Sequence, residues 1–236
     1  MSYIVVLLIS IIATIILKII INTKIKDIKD IAENHKLDNI SNKFSDNIEI
    51  CKSILKIIKN DNVNIKENTE NESSFYFIAT NTINIANIKG TFTRIQTIAH
   101  ECIHSIQDKK ILWFNYIFSN LYVIYFILIS ILTIFKVINS YPIWLSILFI
   151  ANTIWIFVRE FLETDAMTRA RYLAEKYIES ENKEKNIVTK EEIKDLLDEY
   201  DKLNEKGIKL ANYQLFLSGM LKIIIYLIIV TIIQFI

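Results

Sequence analysis

The stretch of this chain best equipped for chemistry is His100-Glu101-Cys102-Ile103-His104, an H-E-x-x-H pattern. On an α-helix, side chains four apart stand one above the other, with Cβ atoms about 5–6 Å apart. Two imidazoles at that spacing can share one Zn²⁺ through bonds of about 2.0–2.1 Å. Glu101 lies about 100° round the helix from His100, placed to reach a water at such a metal without being a ligand. The chain holds only three histidines, and two of them are here. The chemistry expected is peptide-bond hydrolysis by a zinc-activated water, with Glu101 as general base. A plainer reading is a partly buried helix whose two histidines bind nothing.

A catalytic zinc takes three protein ligands and keeps one open position. His35 would complete a three-histidine site. Glu160 and Glu163, three apart on one helical face, are the other candidates. These residues alone leave the choice open, since charged side chains at a helix end beside a membrane are also ordinary.

The motif has to be carried by a helix, and Thr93 with Gln96 offers a capping box for one. Upstream, Ser45 and Asp46 can cap a helix with Ile48, Cys51, Leu55 and Ile58 on one face. Residues 63–65 and parts of 75–88, above all 82–85, alternate as short strands do. A strand edge beside the motif helix would let an extended peptide add as a further strand, the alternative being an isolated Asn-rich hairpin. Downstream, residues 159–180 read as helical, with Glu163, Ala166, Met167, Ala170 and Ala174 on one face. Asp165 and Arg169 form an i,i+4 pair elsewhere on that helix. A polar linker at 181–186 then precedes a second capping box, Thr189 with Glu192, and a helix presenting Ile193, Leu196, Leu197, Tyr200 and Leu203.

Around these parts lie long apolar runs. The 236-residue chain is 52% hydrophobic, and residues 4–21, 111–135, 141–158 and 214–236 are each long enough to span a bilayer. The first lacks a basic leader before it and a small-residue cleavage site after it, so it reads as an uncleaved anchor. Lys222 lies inside the last run, where snorkelling would accommodate it. Lys24, Lys26, Lys29, Lys109, Lys110 and Arg159 flank the spans on one side, and by the positive-inside rule that side is cytoplasmic. The expected organisation is a transmembrane anchor (1–22), a cytoplasmic part with the motif helix (23–110) and a two-span hairpin (111–158). Cytoplasmic helices (159–213) and a last span (214–236) complete it. This is a mainly α integral membrane protein of about four transmembrane helices, with a small cytoplasmic α+β part and the lipid bilayer as its first partner. A net charge of +1 gives no reason to expect a nucleic-acid partner. Cys51 and Cys102 form no CxxC pair and fit a reduced environment. No feature of the sequence sets an oligomeric state.

The motif with its trailing Gln107, followed by Glu163-Thr164-Asp165-Ala166 and Arg169-Ala170, resembles a bacterial membrane family of neutral zinc metallopeptidases, the YugP type. That family pairs a His-Glu-x-Gly-His-Ala-x-Gln stretch with a later Glu-Phe-Asp-Ala-Ser-x-Arg-Ala stretch, behind an N-terminal anchor. The likeness follows most of the chain in order, and its specific part is about twenty residues. A weaker likeness to HtpX-type membrane proteases points the same way. The resemblance implies a zincin-like catalytic part at the cell membrane, His100, His104 and Glu163 as zinc ligands, Glu101 as catalytic base, and a peptide or protein substrate. The chain departs from the family at Ile103 (glycine there), Ser105 (alanine), Thr164 (phenylalanine) and Met167 (serine). Ile103, which a bulky side chain makes the largest change, favours a second reading, a catalytically degenerate zinc-binding membrane adaptor or sensor.

Overall fold

The structure is a computed structural model that describes residues 2–68, 70 and 73–235. Its helices are α1 (Ser2–Ala32), α2 (His35–Ser41), α3 (Asn47–Ile57), α4 (Arg94–Ile106), α5 (Lys109–Ile134), α6 (Tyr141–Lys185) and α7 (Lys190–Phe235). Three short strands, β1 (Asn64–Glu67), β2 (Phe75–Phe77) and β3 (Thr82–Ile85), lie between α3 and α4. Among the described residues, α1, α5, α6 and α7 are long and apolar enough to cross a membrane, and they contain the four apolar runs of the sequence.

Two elements run further than the sequence pattern indicates. The third apolar run and the helix after it are one helix, α6, because Pro142 sits in its first turn and neither glycine nor proline follows before its end. The predicted linker at 181–186 is therefore mostly helix. Asn186 ends it with φ 49°, a left-handed conformation that asparagine tolerates better than most residues. The capping box that opens α7 is present. Thr189 N–H donates to Glu192 Oε2 at 2.8 Å, and Glu192 N–H donates to Thr189 Oγ1 at 3.2 Å.

The chain divides into two compact units. One gathers the residues up to Ile25, Trp113–Phe161 and those from Lys209 onward. Tyr122, Leu148, Trp155, Tyr226 and Leu227 pack at its centre, while large apolar side chains such as Ile9, Ile124 and Phe157 stay exposed. Two buried polar contacts lie within it: Tyr122 Oη donates to Asn152 Oδ1 at 2.9 Å, and Trp155 Nε1–H to Ser119 Oγ at 3.1 Å. A Cβ at Gly219 would fall 2.2 Å from Asn152 Oδ1, so glycine is what permits this approach of α7 to α6. Lys222 bonds back one turn to Ser218 O at 3.3 Å and lies 5.0 Å from the Trp155 ring centre. Its charge is thus held over an aromatic face as well as by the turn before it.

The other unit gathers Lys26–Leu112 and Leu162–Ile208. Its sheet has the order β1-β3-β2, with β1 parallel and β2 antiparallel to β3. The central strand buries Ile83 and Ile85, and the sequence-based expectation of short strands holds with shifted ends. Asp46 caps α3, accepting from Glu49 N–H at 2.9 Å. The expected capping box at Thr93 is not formed. Thr93 already has helical φ and ψ (−70°, −10°), and the Gln96 amide is drawn away to donate to Asn204 Oδ1 at 2.7 Å. Arg94 locks the start of α4 instead. Buried, it donates to Ser41 O at 2.8 Å, Phe44 O at 3.0 Å and Asn47 Oδ1 at 3.2 Å. Helix α4 then buries Ile95, Ile98, Ala99, Cys102 and Ile103 in the same core as Ala166, Ala170 and Ala174 of α6. Cys51 and Cys102 are buried free thiols with Sγ atoms 3.8 Å apart.

Candidate metal centre

Core packing fixes which face of α4 is left for chemistry. With Ala99, Cys102 and Ile103 turned inward, His100 and His104 come to the opposite side, one above the other. Their Nε2 atoms lie 3.0 Å apart. Glu163 of α6 completes a triangle: its Oε2 is 3.4 Å from His100 Nε2 and 3.6 Å from His104 Nε2. A tetrahedral ion with bonds of about 2.0–2.1 Å needs ligand atoms roughly 3.3–3.4 Å apart. The three edges bracket that value, and the donor set of two imidazoles and a carboxylate is one that zinc takes. The residues present therefore fit the metal the sequence implies.

Electrostatics points the same way. Burial alone would raise the Glu163 pKa, but hydrogen bonds with His100 and His104 outweigh it and hold the carboxyl well below its usual range. Burial opposes charge on His104, yet Glu163, Glu101 and Gln107 together raise its pKa. Glu101 is only 5% exposed. Burial pushes its pKa up against the pull of His100 and His104, and its carboxylate accepts the backbone N–H of Tyr76. Tyr76 is the middle residue of β2, so the strand at the sheet edge anchors this carboxylate.

The other candidates lie elsewhere. His35 has a side chain 99% exposed and sits 3.5 Å from Asp38. Glu160 accepts from Asn212 Nδ2 at 3.0 Å. Further along α6, Arg171 is engaged by Asp201 at 2.8 Å and by Glu175, Arg169 by Asp165 at 3.2 Å, and Tyr172 is exposed. None of them belongs to the cluster His100, His104 and Glu163.

Gln107 and Asp165 support the cluster in ways that the sequence reading did not assign to them. Gln107 follows the last turn of α4, and its Oε1 is 2.8 Å from His104 Nδ1. Its Nε2 donates to Leu162 O and to Asp165 Oδ2, both at 2.8 Å. With Nδ1–H donated to Gln107, the lone pair of His104 is left on Nε2, the atom that faces Glu163. Gln107 also ties the end of α4 to the turn of α6 that carries Glu163. Asp165 keeps its pair with Arg169, but the same oxygen serves Gln107, so it is not merely a surface partner. The signal for Gln107 was its position three after His104, on the same helical face. Gln107→Leu should lower zinc affinity about 10–100-fold while leaving the three ligands in place. Competition with a chromophoric chelator measures this, and an unchanged affinity would remove Gln107 from the site.

Comparison with protein-family models, curated proteins and solved structures finds no match for this chain.

Proposed function

We propose that this protein is a membrane-embedded, zinc-dependent metallopeptidase of the YugP-like kind, with its site on the cytoplasmic side of the cell membrane. The observation that carries this reading is the triangle of His100, His104 and Glu163, spaced for one tetrahedral ion, with the buried carboxylate of Glu101 beside it. His100, His104 and Glu163 would hold the ion. Bound there, zinc supplies a nucleophile at neutral pH by lowering the pKa of water and polarises the scissile carbonyl. Glu101 takes the proton of the attacking water and delivers it to the departing amine. The raised proton affinity that burial gives Glu101 suits it to that task, and Tyr76 N–H keeps its carboxylate oriented. Gln107 keeps His104 in the ligating tautomer.

The adaptor or sensor reading rested on Ile103 as the largest departure from the resembling family. Ile103 is 3% exposed and packs into the core cluster, which favours the enzyme. Zinc content of the purified protein, measured beside His104→Ala, tests the centre: about one zinc per chain in the parent and a large loss in the variant. A peptide mixture followed by mass spectrometry tests the activity, and a zinc-loaded protein that cleaves nothing would return the adaptor reading.

The four apolar helices and their flanking lysines support a topology with both termini outside and both soluble segments in the cytoplasm. Lys66 and Lys185 are exposed, so cysteines placed there are accessible to reagent on whichever side they lie. In intact cells both should be protected from an impermeant maleimide and labelled after lysis. Labelling of either from outside would overturn the orientation.

A further inference from the structure

A cleft of about 470 Å³ opens directly beside two members of the triad, His100 and Glu163. Thr93 and Thr97 continue one wall along α4, and Met167 and Ala170 continue the other along α6. Leu203 and Asn204 of α7 and Ile28 and Ala32 at the end of α1 close it. Among the described residues that line these walls there is no lysine or arginine and Glu163 is the one carboxylate, and it faces the two histidines. The amides are engaged as well: Asn204 accepts from Gln96 at 2.7 Å and donates to Met167 O at 3.0 Å. These bonds fasten α4, α6 and α7 round the cleft, and they leave it little polar capacity to offer a ligand.

A second observation concerns its floor. Gly207 lies inside a long helix, where glycine costs up to about 1 kcal/mol relative to alanine. A Cβ there would come within 2.9 Å of Met167 Cε. Gly207 thus leaves room for the end of the Met167 side chain, which otherwise would be displaced. Methionine is unbranched and adaptable, a residue that fits a wall receiving apolar groups of varied shape.

We infer that this cleft receives an uncharged, apolar side chain of the peptide substrate, next to the bond that is cut. The inference rests on the metallopeptidase reading. Its size falls within the range of small-molecule pockets, roughly 300–1,000 Å³, ample for a leucine or phenylalanine side chain. Among the described residues its walls beyond the triad carry no charged side chain, so a lysine or glutamate side chain there would have to give up its hydration without compensation. Met167 and Ala170 make this wall apolar.

Amino-acid hydroxamates test it, because they bind zinc sites whether or not a substrate is turned over. Full-length protein in detergent, with its zinc content measured on the same sample, is titrated with glycine, leucine, phenylalanine, glutamate and lysine hydroxamates. Leucine and phenylalanine hydroxamates should bind at least about tenfold more tightly than the glycine compound, and those of glutamate and lysine no better than it. Gly207→Ala, which favours the helix, should push the Met167 methyl group aside and cut the apolar advantage several-fold while sparing glycine hydroxamate. Met167→Ala should extend the preference to tryptophan hydroxamate. Equal binding of the apolar and charged compounds to zinc-loaded protein would overturn the pocket while leaving the metal centre standing. A protein that holds no zinc and binds no hydroxamate would overturn the metallopeptidase reading and this inference with it.

Discussion

Glu101→Gln should keep zinc at the parent level and lower turnover of any peptide substrate by at least about a hundredfold. Glutamine preserves the length of the side chain and can still accept the Tyr76 N–H that the glutamate accepts, so the local fold is retained. What it removes is the proton acceptor. Positioned general acid–base groups contribute about 10²–10⁴-fold to rate, and in the proposed mechanism one residue serves both half-steps, taking a proton from water and giving it to the amine. His100 and His104 are untouched, so the metal content should not fall. Measuring zinc by mass spectrometry and hydrolysis on the same preparation separates the two effects. A variant with parental turnover would show that Glu101 is not the base, and one without zinc would show that it holds the site together.

The parts of this centre that were legible in the sequence are the local ones. The i,i+4 spacing of His100 and His104 survives folding because both sit within one helix, and helical geometry alone brings their Nε2 atoms to 3.0 Å. Capping by Asp46 and the reciprocal box at Thr189 and Glu192 were equally readable, since each involves residues three apart. The box at Thr93 failed for a tertiary reason: Gln96 found a partner more than a hundred residues away in Asn204. The third member of the cluster is likewise a long-range matter. Residue types alone left His35, Glu160 and Glu163 open, and only the packing of α4 and α6 into one core brings Glu163 to the histidines. Gln107 and Tyr76 support the site by bonds to another element or through a backbone N–H, which spacing does not reveal. Ile103, the largest departure from the resembling family, is buried in the core that α4 shares with the alanines of α6.

Glu163→Ala should lose its metal under dialysis that leaves Glu160→Ala loaded. The two carboxylates are three apart on α6, so helical phase does not choose between them, and each substitution removes one negative charge from the same helix. Their surroundings differ. Glu163 Oε2 stands 3.4 and 3.6 Å from the two Nε2 atoms, distances at which one ion can touch all three. Glu160 is bonded to Asn212 Nδ2 at 3.0 Å and takes no part in that group. Loss of an outer-shell partner typically costs 10–100-fold in metal affinity, and loss of a ligand should cost more, because two histidines alone leave half of a tetrahedral shell to water. With Glu163 removed, His104 also loses the strongest of the interactions that raise its pKa, so the metal-free variant should bind a proton there less readily than the metal-free parent. An NMR titration of the His104 ring in metal-free protein provides this second readout, independent of zinc. Retention of zinc by Glu163→Ala together with its loss from Glu160→Ala would move the third ligand one helical turn towards the apolar part of α6. Retention by both would require the histidines to find a ligand outside α6 altogether.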